Sequence, residues 1–499
     1  MYYLFMNRIA HQVSALRVSA IGAVCALLAA CADPSGILPH AHPTTIDQLN
    51  VSSGLSHQTK EESSASAAQA WWHAFHDRQL DALMTQALRH NPDLAIARAR
   101  IRQAEGLSEA AGAVERPRVD LDAHVGRAHW TNNQFFPPPF GGSTTWDNGF
   151  NLSASYSLDL WGKNRAIVQA AEDRLKASVE ARNAAALLLS SQLVSAYLHY
   201  AAGVALLRTA TERQADADRV VQIERIRLNH GLTDAAHLYD AQLTAARYQE
   251  DVATYSGDLH LRAEQIAVLT GRGIATDTPL QAPTVALGDD WSVPHDVPAN
   301  LIGSRPDIRA RRLQMEAAAR DIHVARAAFY PDINLAAYVG GLAASGGFSR
   351  FLQSNSAHYG VVPALTLPIF EGGRLRGQLR ERTAAYDEAI AEYNKALLTA
   401  LQQTASALTQ LHTLAERRAA LNDALRAATE NEKRAEQRFA AGLTNHLPVL
   451  AARQSVLNLQ AQRISLNAEA SAALAQLYAA LGGAVLPHTL PHASQGVTG

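Results

Sequence analysis

From Arg165 to His230 the chain contains no proline and a single glycine, Gly203. Leu175, Val179, Ala186, Leu189, Leu193, Tyr197, Tyr200, Val204 and Leu207 recur at steps of three and four, the spacing of one helix face. At about 1.5 Å per residue such a helix is roughly 100 Å long. Its stability has to come from burying that stripe, so it must lie against other helices of similar length. The chain supplies a copy: Arg374 to Ala441 again lacks proline, has one glycine (Gly377), and reads as helix. Two such segments predict a tube or a scaffold and leave little room for an ordinary active-site cleft.

Composition narrows the partners. Over 499 residues, 44 Lys+Arg nearly balance 46 Asp+Glu. The charges are interspersed without a basic block, which argues against nucleic acid. After the N-terminus no apolar run of about 18 residues exists, so no membrane-spanning helix is expected in the mature chain. Barrel strands, with their weak alternating signal of about ten residues, remain compatible. The two cysteines, Cys25 and Cys31, both lie near the N-terminus, leaving none downstream for disulfides or a cysteine-ligated metal.

Residues 1–30 read as an export signal: Arg8 and Arg17 precede a short apolar core, Val18 to Ala30. The core ends in Leu28-Ala29-Ala30-Cys31, which resembles a bacterial lipobox. That resemblance implies cleavage before Cys31 and its acylation; Ala32 in place of aspartate implies release to the outer membrane. The plainer alternative is an ordinary signal cut at an Ala-x-Ala-like site. Residues 31–70 then form the N-terminus and an extended tether rich in Ser, His, Pro and Thr. His40, His42, His73 and His76 lack the spacing and carboxylates of a metal site and read as solvated. No metal or cofactor is expected.

The first structural repeat occupies 71–271. A helical pattern from Gln79 breaks at Asn91-Pro92 and resumes to about Glu115, with Pro92 suited to a first helical turn. The period then changes to two. Val119, Leu121, Ala123 and Val125 alternate with Asp120, Asp122, His124 and Gly126; Phe150, Leu152, Ala154, Tyr156 and Leu158 alternate with Asn151, Ser153, Ser155, Ser157 and Asp159. These predict a hairpin with one apolar and one polar face. The long helix ends at His230-Gly231, and Thr233 or Asp234 caps a second helix to about Thr270. A proline-bearing connector spans 272–300. The pattern then restarts in a second repeat, 301–483, before a tail at 484–499. Pro92-Asp93 answers to Pro306-Asp307 and Pro117 to Pro331 at one constant offset; Gly231-Leu232-Thr233 answers to Gly442-Leu443-Thr444 and Gly271 to Gly482 at another. Ile333, Leu335, Ala337, Val339 and Tyr359, Val361, Pro363, Leu365, Leu367 mark the second hairpin. The shorter helices, each about 55 Å, would match a long one when stacked end to end.

Four amphipathic strands leave open sheet edges and cannot form a membrane barrel alone. Two chains give eight strands with an interior filled by side chains; three give twelve and a polar lumen.

Three separated segments carry a family resemblance. Tyr156-Ser157-Leu158-Asp159-Leu160-Trp161-Gly162-Lys163-Asn164-Arg165, Ser304-Arg305-Pro306-Asp307-Ile308-Arg309 and Ala325-Arg326-Ala327-Ala328-Phe329-Tyr330-Pro331 resemble signatures of the TolC-like outer-membrane efflux ducts. Their nearest likeness is the NodT-type lipoprotein branch that serves resistance-nodulation-division pumps. Over residues 70–483 the resemblance implies a mainly α protein with a β-barrel part. In it a homotrimer shares one twelve-stranded outer-membrane barrel above a long α-helical coiled-coil periplasmic tunnel. It implies a passive duct for small toxic compounds or drugs, working with a periplasmic adaptor protein and an inner-membrane pump. The turns containing Gly231, Leu232, Thr233 and Gly442, Leu443, Thr444 are then the adaptor-docking tips. Where family members carry an acidic residue beyond the second tip, this chain reads Val449-Leu450-Ala451-Ala452. The first repeat keeps Leu238-Tyr239-Asp240-Ala241-Gln242, which makes Asp240 the periplasmic gate candidate. The competing reading has Asp240 on the surface, paired with Arg247 or Arg225.

An enzyme is the rival class, but GxSxG, GxxxxGK(S/T), HExxH and GxGxxG are all absent, and no catalytic residue is assigned. Asp289-Asp290 in the connector, and His237 and His446 near the tips, read as solvated surface groups. A type I protein-secretion duct is an alternative within the channel class. A pore-free periplasmic coiled-coil scaffold is a third reading, opposed by the two hairpins.

Overall fold

The computed structural model describes residues 34–45, 55–56, 70–133, 140–273, 280–285, 291–294, 297–298, 300–343 and 347–484. The expected signal segment, Cys25, the acylation candidate Cys31, Asp289-Asp290 and the tail beyond 484 lie outside them. In chain order the main elements are α1 (Arg78–His90), α2 (Pro92–Gly112), β1 (Arg118–His129), β2 (Thr144–Leu158), α3 (Lys163–Asn229) and α4 (Ala235–Leu269). The second half repeats them as α5 (Pro306–Ala327), β3 (Asp332–Ala343), β4 (Ala357–Thr366), α6 (Arg374–Ala440) and α7 (Leu447–Ala480). Both α3 and α6 contain 67 residues without interruption. None of the described helices is long and apolar enough to cross a membrane.

The chain divides into two compact units. One, built from residues 101–178 and 311–393 with the N-terminal segment to Pro43, contains the sheet. Its strands run in the order β1-β2-β3-β4, antiparallel throughout. Residues opposite one another across a ladder share a face. Leu121 opposes Leu152, which opposes Val339, which opposes Tyr359; Tyr156 opposes Leu335, which opposes Pro363. On the other face Asp122, Asn151, Gly340 and His358 form one row, and Asp120, Ser153, Tyr338 and Gly360 the next. The alternation predicted from sequence therefore sets the register, since a one-residue slip would reverse both faces. Two departures are local. Asn148 lies on the apolar face opposite Val125, where it is buried; its Nδ2 donates to Phe348 O at 2.8 Å and its Oδ1 accepts from Gly126 N. β4 ends at Thr366, so Leu367 falls one residue past the strand.

The signature around Trp161 is the splice from strand to helix. Asp159 accepts the backbone N–H groups of Asn164 and Arg165 and so caps α3. Trp161 stacks on Tyr330 with ring centroids 4.8 Å apart and donates its indole N–H to Pro331 O at 2.8 Å. Each repeat's exit from or entry to the sheet thereby fixes the other's. Residues 34–43, part of the 31–70 segment expected to form an extended tether, are attached to this unit. Ile37 is buried with Ile322, Phe329, Leu375 and Leu379, and the N–H groups of His40 and Ala41 donate to the Asp387 carboxylate on α6. Composition conceals this because one isoleucine among polar residues produces no periodic signal.

The second unit holds the larger cores. Trp71 is 2% exposed and meets Trp72, Phe75 and Tyr478 edge-on. Leu80, Met84, Leu193, Tyr197 and Ile266 complete that cluster. A second cluster gathers Trp291 and Val297 of the connector with Leu411, Leu414, Leu474 and Leu477. Two polar splices occupy equivalent repeat positions. Asn91 donates to Leu269 O, the last carbonyl of α4, while its Oδ1 accepts from Asp93 N and Leu94 N at the start of α2. Arg305 donates to Ala480 O at the end of α7 while holding Asp307 through two bonds at the start of α5. Asn91 thus satisfies orphan groups of two facing helix ends, and Arg305 joins one orphan carbonyl to a side-chain carboxylate of the facing end.

Candidate functional site

The two turns between long and returning helices are built alike. At the first, Gly231 takes φ +67°, Leu232 N donates to Arg227 O and Gly231 N to Leu228 O. At the second, Gly442 takes φ +70°, Leu443 N donates to Arg438 O and Gly442 N to Phe439 O. These paired bonds close a helix only when the residue after it is left-handed, which glycine adopts without a Cβ penalty. The following leucine is thrown outward: Leu232 is 69% exposed and Leu443 72%. Thr233 and Thr444 are half-buried. Of the two expected caps for α4, Asp234 is the one used, accepting from Ala236 N and His237 N. The second tip uses Asn445, whose Oδ1 accepts from Leu447 N, and Pro448 occupies the first turn of α7. A recess of about 620 Å³ beside Leu443 is lined by Arg434, Arg438, Thr444 and Pro448.

His237 is exposed, as expected of a helix-surface histidine, but its Nδ1 also lies 2.8 Å from Asp234. That hydrogen bond holds the Asp234 carboxyl below the usual range and pushes the His237 imidazole above its own. His446 lies against Phe439, ring centroids 4.8 Å apart.

Asp240 sits on the second turn of α4, exposed, at the edge of a recess of about 270 Å³ shared with Glu224, His237, Tyr248 and Gln454. Among the described residues no cation lies within ion-pairing distance of it, so the expected alternative pairing with Arg247 or Arg225 is not made. The ion pairs that are made join other groups, and the sequence reading missed them: Glu224, which lines the same recess, pairs with Arg227 at 2.7 Å. Asp216 of α3 is 2% exposed and bridges Arg219 (2.9 Å) and Arg453 of α7 (2.8 Å). Arg213 lies over the Tyr248 ring and reaches Asp251 at 3.3 Å. Burial, then the neighbouring Glu436, raises the Glu432 carboxyl, with Arg453 acting in the opposite sense. Arg453 directly follows Ala451-Ala452, and a lone arginine on a helix gives no sequence cue to a partner on another segment.

The chain matches the outer membrane efflux protein family over residues 83–272 and 297–483. It is 34% identical to the fusaric acid resistance protein FusA of Burkholderia cepacia, across 72% of this chain and 68% of that protein. It is 30% identical to the multidrug resistance outer membrane protein MdtQ of Escherichia coli O157:H7, across 83% of this chain and 87% of that one. The crystal structure of the outer membrane protein VceC from Vibrio cholerae superposes with a TM-score of 0.75 at 30% identity, covering 83% of this chain and 98% of VceC. The Campylobacter jejuni CmeC outer membrane channel, at 22% identity and a TM-score of 0.78, shares the fold. That fold is the TolC-like one, a trimeric barrel channel continued by a helical tunnel. An open-edged four-stranded sheet with one apolar face, two uninterrupted 67-residue helices and two matching turns are its parts within one chain. The chain belongs to the outer membrane efflux protein family and is an outer-membrane efflux channel.

Proposed function

We propose that this channel is the outer-membrane component of a tripartite efflux pump for small toxic compounds or drugs. An inner-membrane pump, of the resistance-nodulation-division type, delivers cargo, and a periplasmic adaptor docks on the two tips. The supporting observation is the pair of exposed leucines, Leu232 and Leu443, each held out by a glycine-terminated helix. An apolar anchor flanked by polar groups suits a helical partner, and Arg434 and Arg438 beside Leu443 offer it charge-assisted bonds. Names of relatives support the cargo class: FusA is a fusaric acid resistance protein and MdtQ a multidrug resistance protein. Acylation of Cys31 anchors the N-terminus to the outer membrane, and Asp240 contributes three carboxylates at one height of the trimer as a cation-favouring gate.

The test is dye accumulation in cells lacking the chromosomal gene and carrying plasmid copies. Wild type is expected to restore low accumulation. The Leu232→Asp/Leu443→Asp double variant is expected to leave accumulation as high as in the deletion strain while still forming trimers. Full export by the double variant would refute tip docking. Mass spectrometry of the mature N-terminus is expected to show an acylated Cys31.

A further inference from the structure

The N-terminal segment is held at one end of the sheet. Ile37, 7% exposed, fills a hollow made by Ile322, Phe329, Leu375 and Leu379. Phe329 stands three residues ahead of β3, and Leu375 is the second residue of α6, which follows β4. The hollow therefore belongs to the end of the sheet from which the helices leave, and Leu375 also lines a recess there with Trp161 and Tyr330. Three residues beyond Ile37 the backbone is gripped again. His40 N donates to both oxygens of the Asp387 carboxylate, at 3.0 and 3.2 Å, and Ala41 N donates to one of them at 3.0 Å. Backbone N–H groups bonded to a carboxylate make charge-assisted contacts, stronger than those between neutral groups. In the other unit Thr44 N donates to Asn394 Oδ1 at 2.8 Å.

These contacts fix the length of chain left between the sheet and the acylation candidate. Ile37 follows Cys31 by six residues, which reach at most about 20 Å when fully extended. An acyl group inserted in the bilayer then keeps the end of the sheet within about that distance of the membrane surface. Without the contacts of residues 37–44, the next backbone pairing among the described residues is that of Leu55–Ser56 with Val297–Pro298, and Leu55 follows Cys31 by 24 residues. A flexible leash dilutes what it carries roughly as the −3/2 power of its length, so a fourfold longer one costs about eightfold in local concentration. A segment that merely covered the hollow would be indifferent to that length.

We propose that residues 37–44 and their seat on α5 and α6 are a clamp that couples the lipid anchor to the sheet, with Asp387 as its positioning residue. The clamp holds the open-edged sheet of an acylated chain at the membrane surface, where it meets the sheets of other copies. The inference rests on the acylation reading of Cys31. The seat is specific for this chain's own N-terminal segment: the hollow takes one aliphatic side chain, and the carboxylate takes the two main-chain N–H groups three and four residues farther on.

The test places one flexible Gly-Ser insertion, about 18 residues long, on either side of the clamp in the full-length protein. Between Asp33 and Pro34 it lengthens the leash about fourfold; between Thr45 and Ile46 it leaves the leash as it is. The readout is the half-time for newly made chains to become heat-resistant trimers, followed by pulse–chase in cells. The upper insertion is expected to lengthen that time at least threefold, and the lower insertion to leave it at the wild-type value. Ile37→Ala/Asp387→Ala is expected to slow assembly as the upper insertion does, and adding that insertion to it to slow assembly by no more than about twofold further. Equal half-times for the two insertions would overturn the clamp, as would an undiminished effect of the upper insertion in the Ile37→Ala/Asp387→Ala background. The insertions touch neither the hollow nor Asp387, so their comparison stands even where the double variant fails to fold. Mass spectrometry of the same samples separates the two readings. Acylated chains indifferent to the site of insertion would overturn the clamp alone, whereas an unmodified Cys31 would refute the anchor and the clamp with it.

Discussion

Two single side chains bear on whether the helices can meet at all. Asp77 caps α1 through Leu80 N and accepts from Tyr197 Oη, Thr284 N and Thr284 Oγ1, all at 2.9–3.0 Å. Burial alone raises its carboxyl, and these four donors outweigh burial, holding it below the usual range. Its contribution is therefore fully present above the ordinary aspartate pKa of about 4 and is lost as pH falls through the depressed folded value. Asp77→Ala leaves Tyr197, fully buried, and Leu80 N without their acceptor. The expected loss is about 3 kcal/mol at pH 7, shrinking below pH 4, read by thermal denaturation of the detergent-extracted protein at both pH values. Arg305→Lys is expected to cost about 1–3 kcal/mol, because an ammonium cannot hold Asp307 by two bonds while also reaching Ala480 O. An unchanged melting temperature in either variant contradicts these assignments. The segment Ser304-Arg305-Pro306-Asp307 was legible as a family signature, yet its physical task was not. Nothing local announces that an arginine will cap a helix 175 residues farther on. Asp77 was illegible for the same reason, since three of its donors come from distant segments.

Elements were more readable than single contacts, because helices and strands write their periods into adjacent residues. Both long helices, the break at Asn91-Pro92, the two hairpins and both glycine-terminated turns lie within a few residues of where the pattern placed them. What the period could not give was the joining of the hairpins. β2 pairs with β3 along Asn148 to Leu158, fusing the two repeats into one sheet. The strapped segment 34–45 was unreadable too, since its attachment through Ile37 and backbone N–H groups has no period. The sheet faces are testable directly. Single cysteines at Asp122, Ser153 and Ser155 are expected to react with an aqueous thiol reagent in intact trimers, and those at Leu121, Leu152 and Val339 to react at least tenfold more slowly. The physical basis is that lipid-facing positions of a barrel exclude water and charge, at about 2–4 kcal/mol for a mid-bilayer cation. Faster labelling of the apolar set would reverse the register.

For the whole molecule, the determining fact is that one chain cannot finish its own sheet. Among the described residues β1 and β4 each have a single neighbouring strand, and the exposed residues of the apolar face include Leu121, Val361 and Leu365 at 65%, 68% and 67%. Unpaired strand edges are costly in lipid, which offers their backbone groups no hydrogen-bond partner, so closure must come from other copies. Three copies give twelve strands and a polar lumen, as the TolC-like fold requires. The two hairpins alone leave two chains or three open, and the choice of three came with the family resemblance, whereas the identity of the cargo is written in no strand or helix. The most direct measurement is the mass of the assembly extracted from outer membranes in mild detergent, by multi-angle light scattering corrected for bound detergent. Three chains per particle, collapsing to the monomer on boiling, is the predicted result. A particle of one or two chains would contradict the shared barrel on which the account of this channel depends.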